Sequence, residues 1–190
     1  MIFFTSDLHF NHTNVIDFCD RPFKNVEDMN DKLVNNINQR CKFEDTLYHI
    51  GDFAFKGGKQ GGKTAALDFE NKINCKIIHI LGNHDKNNQL KNSMRYGEIW
   101  FANRRWCLQH KPPEETQLRQ FPVDLDNDVY LCGHMHEKWK SRFIEDKLVI
   151  NVGCDVWNYH PVTQQEITIY ADKCIKNKGG GMIQEQKVAT

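Results

Sequence analysis

The sequence predicts an α/β fold, because strand-like and helix-like patterns alternate in its first half and strand-like runs dominate its second half. Apolar runs of four to six residues, rich in Ile, Val, Phe and Tyr, end in Gly, Asp or Asn. Such short runs are typical of strands, some of them buried on both faces. The predicted strands are residues 2–5, 46–50, 76–81, 98–102, 106–109, 129–132, 147–151 and 166–171.

Helices are predicted among the first three strands, over residues 14–19, 26–40 and 64–73. The second helix has the clearest pattern, since Met29, Leu33 and Ile37 recur every four residues and share one face. The length of 190 residues is near the usual size of one domain. We therefore expect one domain over residues 1–172 and a flexible C-terminal tail over residues 173–190, which is polar and contains a run of glycines.

Composition excludes several classes of protein. Lys and Arg together number 25, as do Asp and Glu, so the formal net charge of zero argues against binding nucleic acid through bulk basic charge. No apolar run approaches the roughly 18 residues of a membrane-spanning helix, and the first residues lack a secretion signal. The seven cysteines are an odd number without a C-x-x-C pair, which predicts mostly buried thiols. Together these features predict a cytoplasmic protein with no membrane partner.

Polar side chains able to bind metals or transfer protons follow directly after five of the predicted strands. They are Asp7, His9, Asp52, Asn83, His84, Asp85, His110, His134 and His136. The carboxyl ends of parallel strands open into a common crevice, so residues distant in sequence converge there. In an extended chain, residues i and i+2 point the same way. Asp7 with His9, and His134 with His136, can therefore each present two ligands to one cavity.

The donor set favours transition metals. Imidazole suits ions from Mn²⁺ to Zn²⁺, and carboxylate and amide oxygens suit harder ions. Two Asp, one Asn and four His form the mixed nitrogen and oxygen set of a binuclear site, whereas Ca²⁺ takes oxygens only. By contrast, His49 and His79 lie inside strands between apolar neighbours, and we expect both in the core. A separate zinc site on His9 and His12 is less favoured, because His9 is already counted among the donors of the binuclear site.

The five blocks, in this order, resemble the calcineurin-like metallophosphoesterase superfamily over residues 2–171. Further similar blocks lie around His12, Asn14, residues 21–23 and residues 155–157. These blocks are similar to those of a branch of small bacterial and phage phosphoesterases. The resemblance implies an α/β fold made of a two-sheet β-sandwich flanked by helices, with two metal ions between the ends of the sheets.

The resemblance also implies which residues hold the metals. The first metal would be held by Asp7, His9, Asp52 and His136. The second would be held by Asp52, Asn83, His110 and His134, with Asp52 bridging the two ions. Manganese is the expected ion, with iron, zinc, nickel and cobalt as alternatives.

The activity that the resemblance implies is hydrolysis of a phosphate ester. Paired metals would activate a bridging hydroxide for attack on phosphorus and neutralise the charge of the transition state. His84 would stabilise or protonate the leaving oxygen, a role that suits imidazole at neutral pH, and Asp85 would orient His84. Because the chain has little room for a separate cap domain, the cleft would be open. An open cleft accepts phosphodiesters or phosphomonoesters on bulky partners, and of the two a phosphodiester is the favoured substrate.

Substrate contacts are predicted in the loop after the first strand. Arg21, near Asn14, is the candidate for binding a phosphate oxygen. Lys111 follows His110 where the family often has glycine, and it either adds positive charge near the phosphate or points to solvent. The sequence predicts neither the natural substrate nor the oligomeric state.

Three alternatives stay open. Gly57 to Thr64 match the phosphate-loop pattern G-x-x-x-x-G-K-[ST], but the preceding strand ends at Ile50, so a glycine-rich surface loop is favoured over a nucleotide site. A metal-binding interaction scaffold of the same fold is the second alternative, and His84 argues against it. A nuclease is the third, supported only by local clusters such as residues 104–106, so nucleotides and nucleic acids stay among the candidate partners.

Overall fold

The computed structural model describes residues 1–55, 63–113, 128–144 and 146–178 and places them in two five-stranded sheets flanked by helices. The first sheet contains β1 (Ile2–Thr5), β2 (Thr46–Ile50), β3 (Lys76–Ile80), β4 (Ser93–Met94) and β10 (Val162–Thr163), in the order β10-β1-β2-β3-β4. The second contains β5 (Gly97–Phe101), β6 (Arg104–Leu108), β7 (Val129–Cys132), β8 (Ser141–Ile144) and β9 (Lys147–Asn151), in the order β5-β6-β7-β9-β8. The helices are α1 (Thr13–Phe18), α2 (Val26–Arg40), α3 (Lys63–Lys72) and α4 (Gln164–Lys178). The predicted α/β sandwich of two sheets is confirmed.

Parallel pairing brings the carboxyl ends of the central strands to one edge of each sheet. Strands β1 to β4 are parallel, as are β6, β7 and β9, while β10, β5 and β8 are antiparallel edge strands. The two edges meet where Ser6, just after β1, pairs with Gly153, just after β9. The Cys154 amide donates to the Ser6 carbonyl over 3.0 Å and extends this contact. The loops after the strands of both sheets therefore converge.

Two apolar layers bury both faces of the first sheet. Its inner face packs against the second sheet through residues that include Phe4, Ile50, Ile80, Trp106, Leu131 and Ile150. Its outer face packs against the helices through residues that include Phe3, Leu47, Ile77, Met29, Leu33 and Ile37. The alternation of neighbours such as Phe3 and Phe4 follows from the period of two in a strand. The predicted face of α2 is confirmed, and His49 and His79 are buried as predicted.

The prediction of a strand over residues 166–171 is wrong, because these residues belong to α4. The alternation of apolar residues there resembles a strand, but Ile167, Ala171 and Cys174 are buried at helical spacing. A capping box starts the helix. The amide of Glu166 donates to Thr163 Oγ1 over 3.1 Å, and the Thr163 amide donates to Glu166 Oε2 over 2.8 Å. The T-x-x-E pattern at residues 163–166 was the overlooked signal.

The predicted domain boundary at residue 172 falls inside α4, so residues 173–178 continue the helix rather than start a tail. Residues 179–190 and residues 57–62 of the phosphate-loop match lie outside the described residues. The remaining predicted strands and helices agree with the structure to within two residues, while β4, β8 and β10 were not predicted. The cysteines are free thiols, and all but Cys19 are buried, as expected. Among the described helices, none is long and apolar enough to cross a membrane.

The capping box makes a prediction about stability. Thr163→Ala removes the side-chain oxygen that accepts from the helix N-terminus, so we expect the free energy of unfolding to fall by about 1 kcal/mol. Urea denaturation followed by circular dichroism measures this loss. Gln165→Ala, an exposed position in the same turn, is the control and should change stability by less than about 0.5 kcal/mol. Equal stability of the two variants would contradict the role of the box.

Candidate metal centre

The candidate ligands lie in tight turns at the strand ends. The Asp7 amide donates to the Gly51 carbonyl and the His9 amide to the Asp52 carbonyl, each over 3.0 Å, so the turns after β1 and β2 hold each other. Several ligands have left-handed backbone: Asp7 (φ 57°), His9 (φ 50°), Asp52 (φ 59°), His134 (φ 69°) and His136 (φ 48°). The premise that these pairs are extended is therefore wrong. Such strained conformations cluster at functional sites, where the surrounding structure holds them.

The structure brings the predicted ligands into two adjoining clusters. The first consists of Asp7, His9 and His136, and the second of Asp52, His110 and His134. Within each cluster, one donor atom from every residue lies within 4.8 Å of the others. Asn83 joins the second cluster, because its Oδ1 lies 3.1 Å from His110 Nε2. His134 and His136 thus serve different clusters although one residue separates them.

Asp52 lies between the two clusters. Its Oδ2 is 3.2 Å from His110 Nε2 in the second cluster and 3.6 Å from His9 Nε2 in the first. Burial alone would raise the pKa of Asp52, but the hydrogen bond to His110 and the charge of His110 hold it below its ordinary value. The same contacts act on His110, whose pKa rises to about 9 although burial lowers it. The carboxylate is thus placed to face both clusters.

His9 supplies a direct test of whether a metal fits. Both of its ring nitrogens are buried without a hydrogen-bond partner among the described residues. Burial also holds the pKa of His9 well below its ordinary value, so the ring is neutral and carries a free lone pair. A buried polar atom without a partner is costly unless something binds it. The residues of the first cluster therefore fit a metal ion.

Hydrogen bonds orient the other histidines toward the clusters. His110 Nδ1 lies 3.0 Å from the Ile50 carbonyl, which leaves Nε2 directed at Asp52. His136 Nδ1 lies 3.2 Å from Asp155 Oδ2. Burial lowers the pKa of His136, but hydrogen bonds with Asp155 and Cys19 raise it to about 11. Partners of this kind fix the ring orientation and tautomer of metal-binding histidines.

Glycines permit the ligands to approach one another. A Cβ at Gly51, which has a φ of 92°, would collide with the His110 ring. A Cβ at Gly133 would collide with Ser6 Oγ and with the Asp7 carboxylate. The glycines before Asp52 and His134 are thus required by packing at the site.

His84 lies beside the clusters without belonging to either. Its backbone amide donates to Asp52 Oδ1 over 2.9 Å, and its Nε2 is 4.0 Å from Asp52 Oδ2. The side chain is 40% exposed, unlike the buried candidate ligands His9 and His110. The ring therefore stands at the solvent side of the site, where a substrate can reach it.

The role predicted for Asp85 needs correction. Its buried carboxylate accepts hydrogen bonds from the backbone amides of Asp52 (2.7 Å), Phe53 (2.9 Å) and Gly82 (2.8 Å), rather than from the His84 ring. Asp85 therefore does not orient that ring directly. It fastens the turn after β3 to the turn after β2 and so fixes the position of Asp52.

The prediction that Arg21 binds a phosphate is also wrong. Its buried guanidinium donates to both carboxylate oxygens of Asp155 over 2.8 and 2.9 Å. It also donates to the carbonyls of Asp7 (2.7 Å) and Leu8 (3.2 Å). These bonds occupy its donors and place it beneath the first cluster. Asn14 is exposed on α1, and its contact with a substrate stays a prediction.

Two residues that support the site, Asp155 and Asn151, were not among its predicted members. Asp155 orients His136 and pairs with Arg21, and it appeared only within the similar block at residues 155–157. Asn151 is buried at the end of β9, where its Nδ2 donates to the His136 carbonyl over 2.8 Å. A polar residue at the end of an apolar strand was the available clue, because the other site residues occur at the same point.

A cavity of about 440 Å³ opens beside the second cluster. It is lined by Leu81, Gly82, Asn83, Lys86, Arg95, Tyr96, Gln109, His110 and Lys111. Three of these residues are cationic, so the cavity is suited to anions. Lys111, one of these cations, lines the cavity next to the candidate ligand His110.

A mostly buried set of nitrogen and oxygen donors between the ends of two sheets, with cations beside it, makes a candidate metal site suited to anions. The chain belongs to the calcineurin-like phosphoesterase superfamily, whose domain matches residues 1–171. Membership identifies the chain, at this general level, as a metal-dependent phosphoesterase.

Two individual proteins are similar to the chain over nearly its full length. One is the uncharacterized protein MJ1445 of Methanocaldococcus jannaschii, which is 32% identical over 90% of this chain and 92% of its own. The other is the protein of unknown function AQ665 from Aquifex aeolicus, whose crystal structure matches with a TM-score of 0.67 and 25% sequence identity. It covers 90% of this chain and 98% of its own.

The corrected role of Arg21 can be tested through stability. Arg21→Lys keeps the charge but loses the paired bonds to the buried Asp155, so we expect unfolding to become easier by about 2–4 kcal/mol. Arg40→Lys, at the exposed pair with Glu166, is the matched control and should cost less than about 1 kcal/mol. Urea denaturation of both variants gives the comparison. Equal stability together with a raised KM for phosphoesters in Arg21→Lys would restore the phosphate-binding role.

Proposed function

We propose that the chain is a phosphodiesterase that uses two divalent metal ions. The observation that carries this proposal is the position of Asp52, whose Oδ2 lies 3.2 Å from His110 Nε2 and 3.6 Å from His9 Nε2. One carboxylate oxygen thus faces ligands of both clusters. Carboxylates that bridge two ions have this placement, and the mixed imidazole and oxygen donors suit manganese, with iron, zinc, nickel and cobalt as alternatives.

The residues of the two clusters divide into two ligand sets. The first set is Asp7, His9, Asp52 and His136, and the second is Asp52, Asn83, His110 and His134. When bound, a pair of divalent ions activates water at neutral pH and stabilises the charge of a transferring phosphoryl group. The chain itself fixes the ligands by the hydrogen bonds to the Ile50 carbonyl and to Asp155.

His84 is the proposed catalytic residue for the leaving group. Its ring is exposed at the mouth of the site, while its backbone amide is held by Asp52 Oδ1. An imidazole in this position can donate a hydrogen bond or a proton to an oxygen that departs from phosphorus. Its neighbour Asp85 acts as a positioning residue, because it holds the turn that carries His84.

The surroundings support an anionic ester that carries groups on both sides of the phosphorus. The cationic cavity adjoins Asn83 and His110, and the exposed His84 lies on the solvent side. A diester substrate extends from the metals in two directions, and its charge is attracted by the cations Lys86, Arg95 and Lys111. A nucleotide or a nucleic acid fits this description among phosphorylated partners.

The first test is metal-dependent hydrolysis by the full chain. We expect metal-stripped protein refilled with Mn²⁺ to hydrolyse bis(4-nitrophenyl) phosphate with a higher kcat/KM than 4-nitrophenyl phosphate, because the site is open to both ester groups. Release of 4-nitrophenol measures both rates, and the stripped protein is the control. Full metal loading without turnover of either ester would contradict the proposal and favour a metal-binding scaffold.

The division of roles between His84 and Asp52 gives a second test. His84→Ala should retain two metal ions per chain and lose about 10²–10⁴-fold in kcat, because only help to the leaving group is removed. Asp52→Asn should lose metal, because the shared carboxylate charge is gone. Elemental analysis of the purified variants measures metal content, with His160→Ala, outside both clusters, as the control. Equal metal loss in His84→Ala and Asp52→Asn would refute the assignment.

A further inference from the structure

Three aromatic rings lie beside the first cluster, and none of them belongs to the two candidate ligand sets. His12 stacks on Phe55, with ring centroids 4.0 Å apart and planes 19° apart. Phe18, at the end of α1, meets the edge of His12 with centroids 6.5 Å apart. We call His12, Phe18 and Phe55 the aromatic shelf. Its members come from the segments after β1 and β2, the same segments that supply Asp7 and Asp52.

The shelf is continuous with the catalytic groups. The His12 ring lies 5.2 Å from the ring of the ligand His9 and 6.2 Å from that of His84, measured between centroids. The Phe55 ring lies 6.3 Å from His84. A group that rests on the shelf is therefore next to His84, which is the side of the site from which the leaving oxygen departs.

The exposure of the shelf also points to a flat ligand. Phe18 is 73% exposed, while His12 and Phe55 are half-buried. Large apolar side chains grouped at the rim of a site offer contact area to a ligand, whereas single ones are common on surfaces. Phe43 is such a single residue, since it is 86% exposed near the amino end of β2, opposite to the metal clusters.

We propose that the aromatic shelf stacks a nucleobase, so that the substrate is a phosphodiester whose leaving alcohol is a nucleoside. This inference rests on the proposed function, in which His84 serves the leaving oxygen. Water adds its oxygen to phosphorus, the bond from phosphorus to the nucleoside oxygen breaks, and that oxygen takes up a proton. Stacking on aromatic side chains tolerates any base, because every base has a flat face.

The test compares diesters that differ only in stacking. The full chain loaded with Mn²⁺ is given a dinucleoside monophosphate and two analogues, each with hydrogen in place of one of the two bases. The products identify the leaving nucleoside. We expect loss of the leaving base to lower kcat/KM by about tenfold or more, while the leaving oxygen is unchanged. Binding of a 2-aminopurine substrate to metal-free protein, followed by fluorescence quenching, supplies a readout independent of turnover.

Variants of the shelf complete the experiment. Phe18→Ala and Phe55→Leu should bring the ratio of kcat/KM with and without the leaving base close to one and should abolish the quenching. Phe43→Ala is the matched control and should keep both. Two results would contradict base stacking on the aromatic shelf. One is an equal kcat/KM for the base-containing and base-free diesters in the unsubstituted chain. The other is that both shelf variants keep the ratio of kcat/KM with and without the leaving base. No hydrolysis of any diester overturns the proposed function as well, so the two failures are distinguishable.

Discussion

The buried pair of Arg21 and Asp155 is the interaction on which the rest of the site depends. It joins the loop after β1 to the loop after β9, and so it holds the first sheet to the second. Burial alone would raise the pKa of Asp155, but His136 and Arg21 lower it below its ordinary value. The carboxylate therefore stays charged, and one of its oxygens accepts from Arg21 while orienting His136. The pair that joins the two sheets thus also orients the candidate ligand His136.

The strained backbone of the ligands requires this kind of support. Asp7 and Asp52 have left-handed conformations that cost free energy in isolation, and both are held by bonds to neighbouring turns. The His134 amide donates to both oxygens of the Asp7 carboxylate over 3.0 Å, which carries the restraint from one sheet to the other. The Asp85 carboxylate likewise links the turns after β2 and β3 by accepting from the amides of Asp52 and Gly82. These hydrogen bonds therefore fix the positions of the candidate ligands relative to one another.

Local patterns predicted most of the fold and the members of the site, because strand runs and the polar residues after them are short-range features. Each of the seven predicted ligands lies in the clusters or, like Asn83, against one. The roles of Arg21 and Asp85 were not predictable in this way, since their partners are backbone groups or lie far along the chain. The wrong prediction for α4 has another cause, because the signal for this helix is local. Its capping box at Thr163 and Glu166 is local, and the alternation of apolar residues concealed it.

The two sides of the candidate site differ in chemistry, and the difference favours one orientation of a bound substrate. The first cluster adjoins aromatic rings through His9 and His12, whereas the second adjoins cations through Asn83 and His110. Stacking and charge attract different parts of a substrate, because a phosphate is drawn to the cations of the cavity and gains nothing from a phenyl face. A molecule with an aromatic group at one end and further negative charge at the other would therefore bind in one orientation. Under the proposed assignment, that orientation would place the leaving group of the substrate next to the exposed ring of His84.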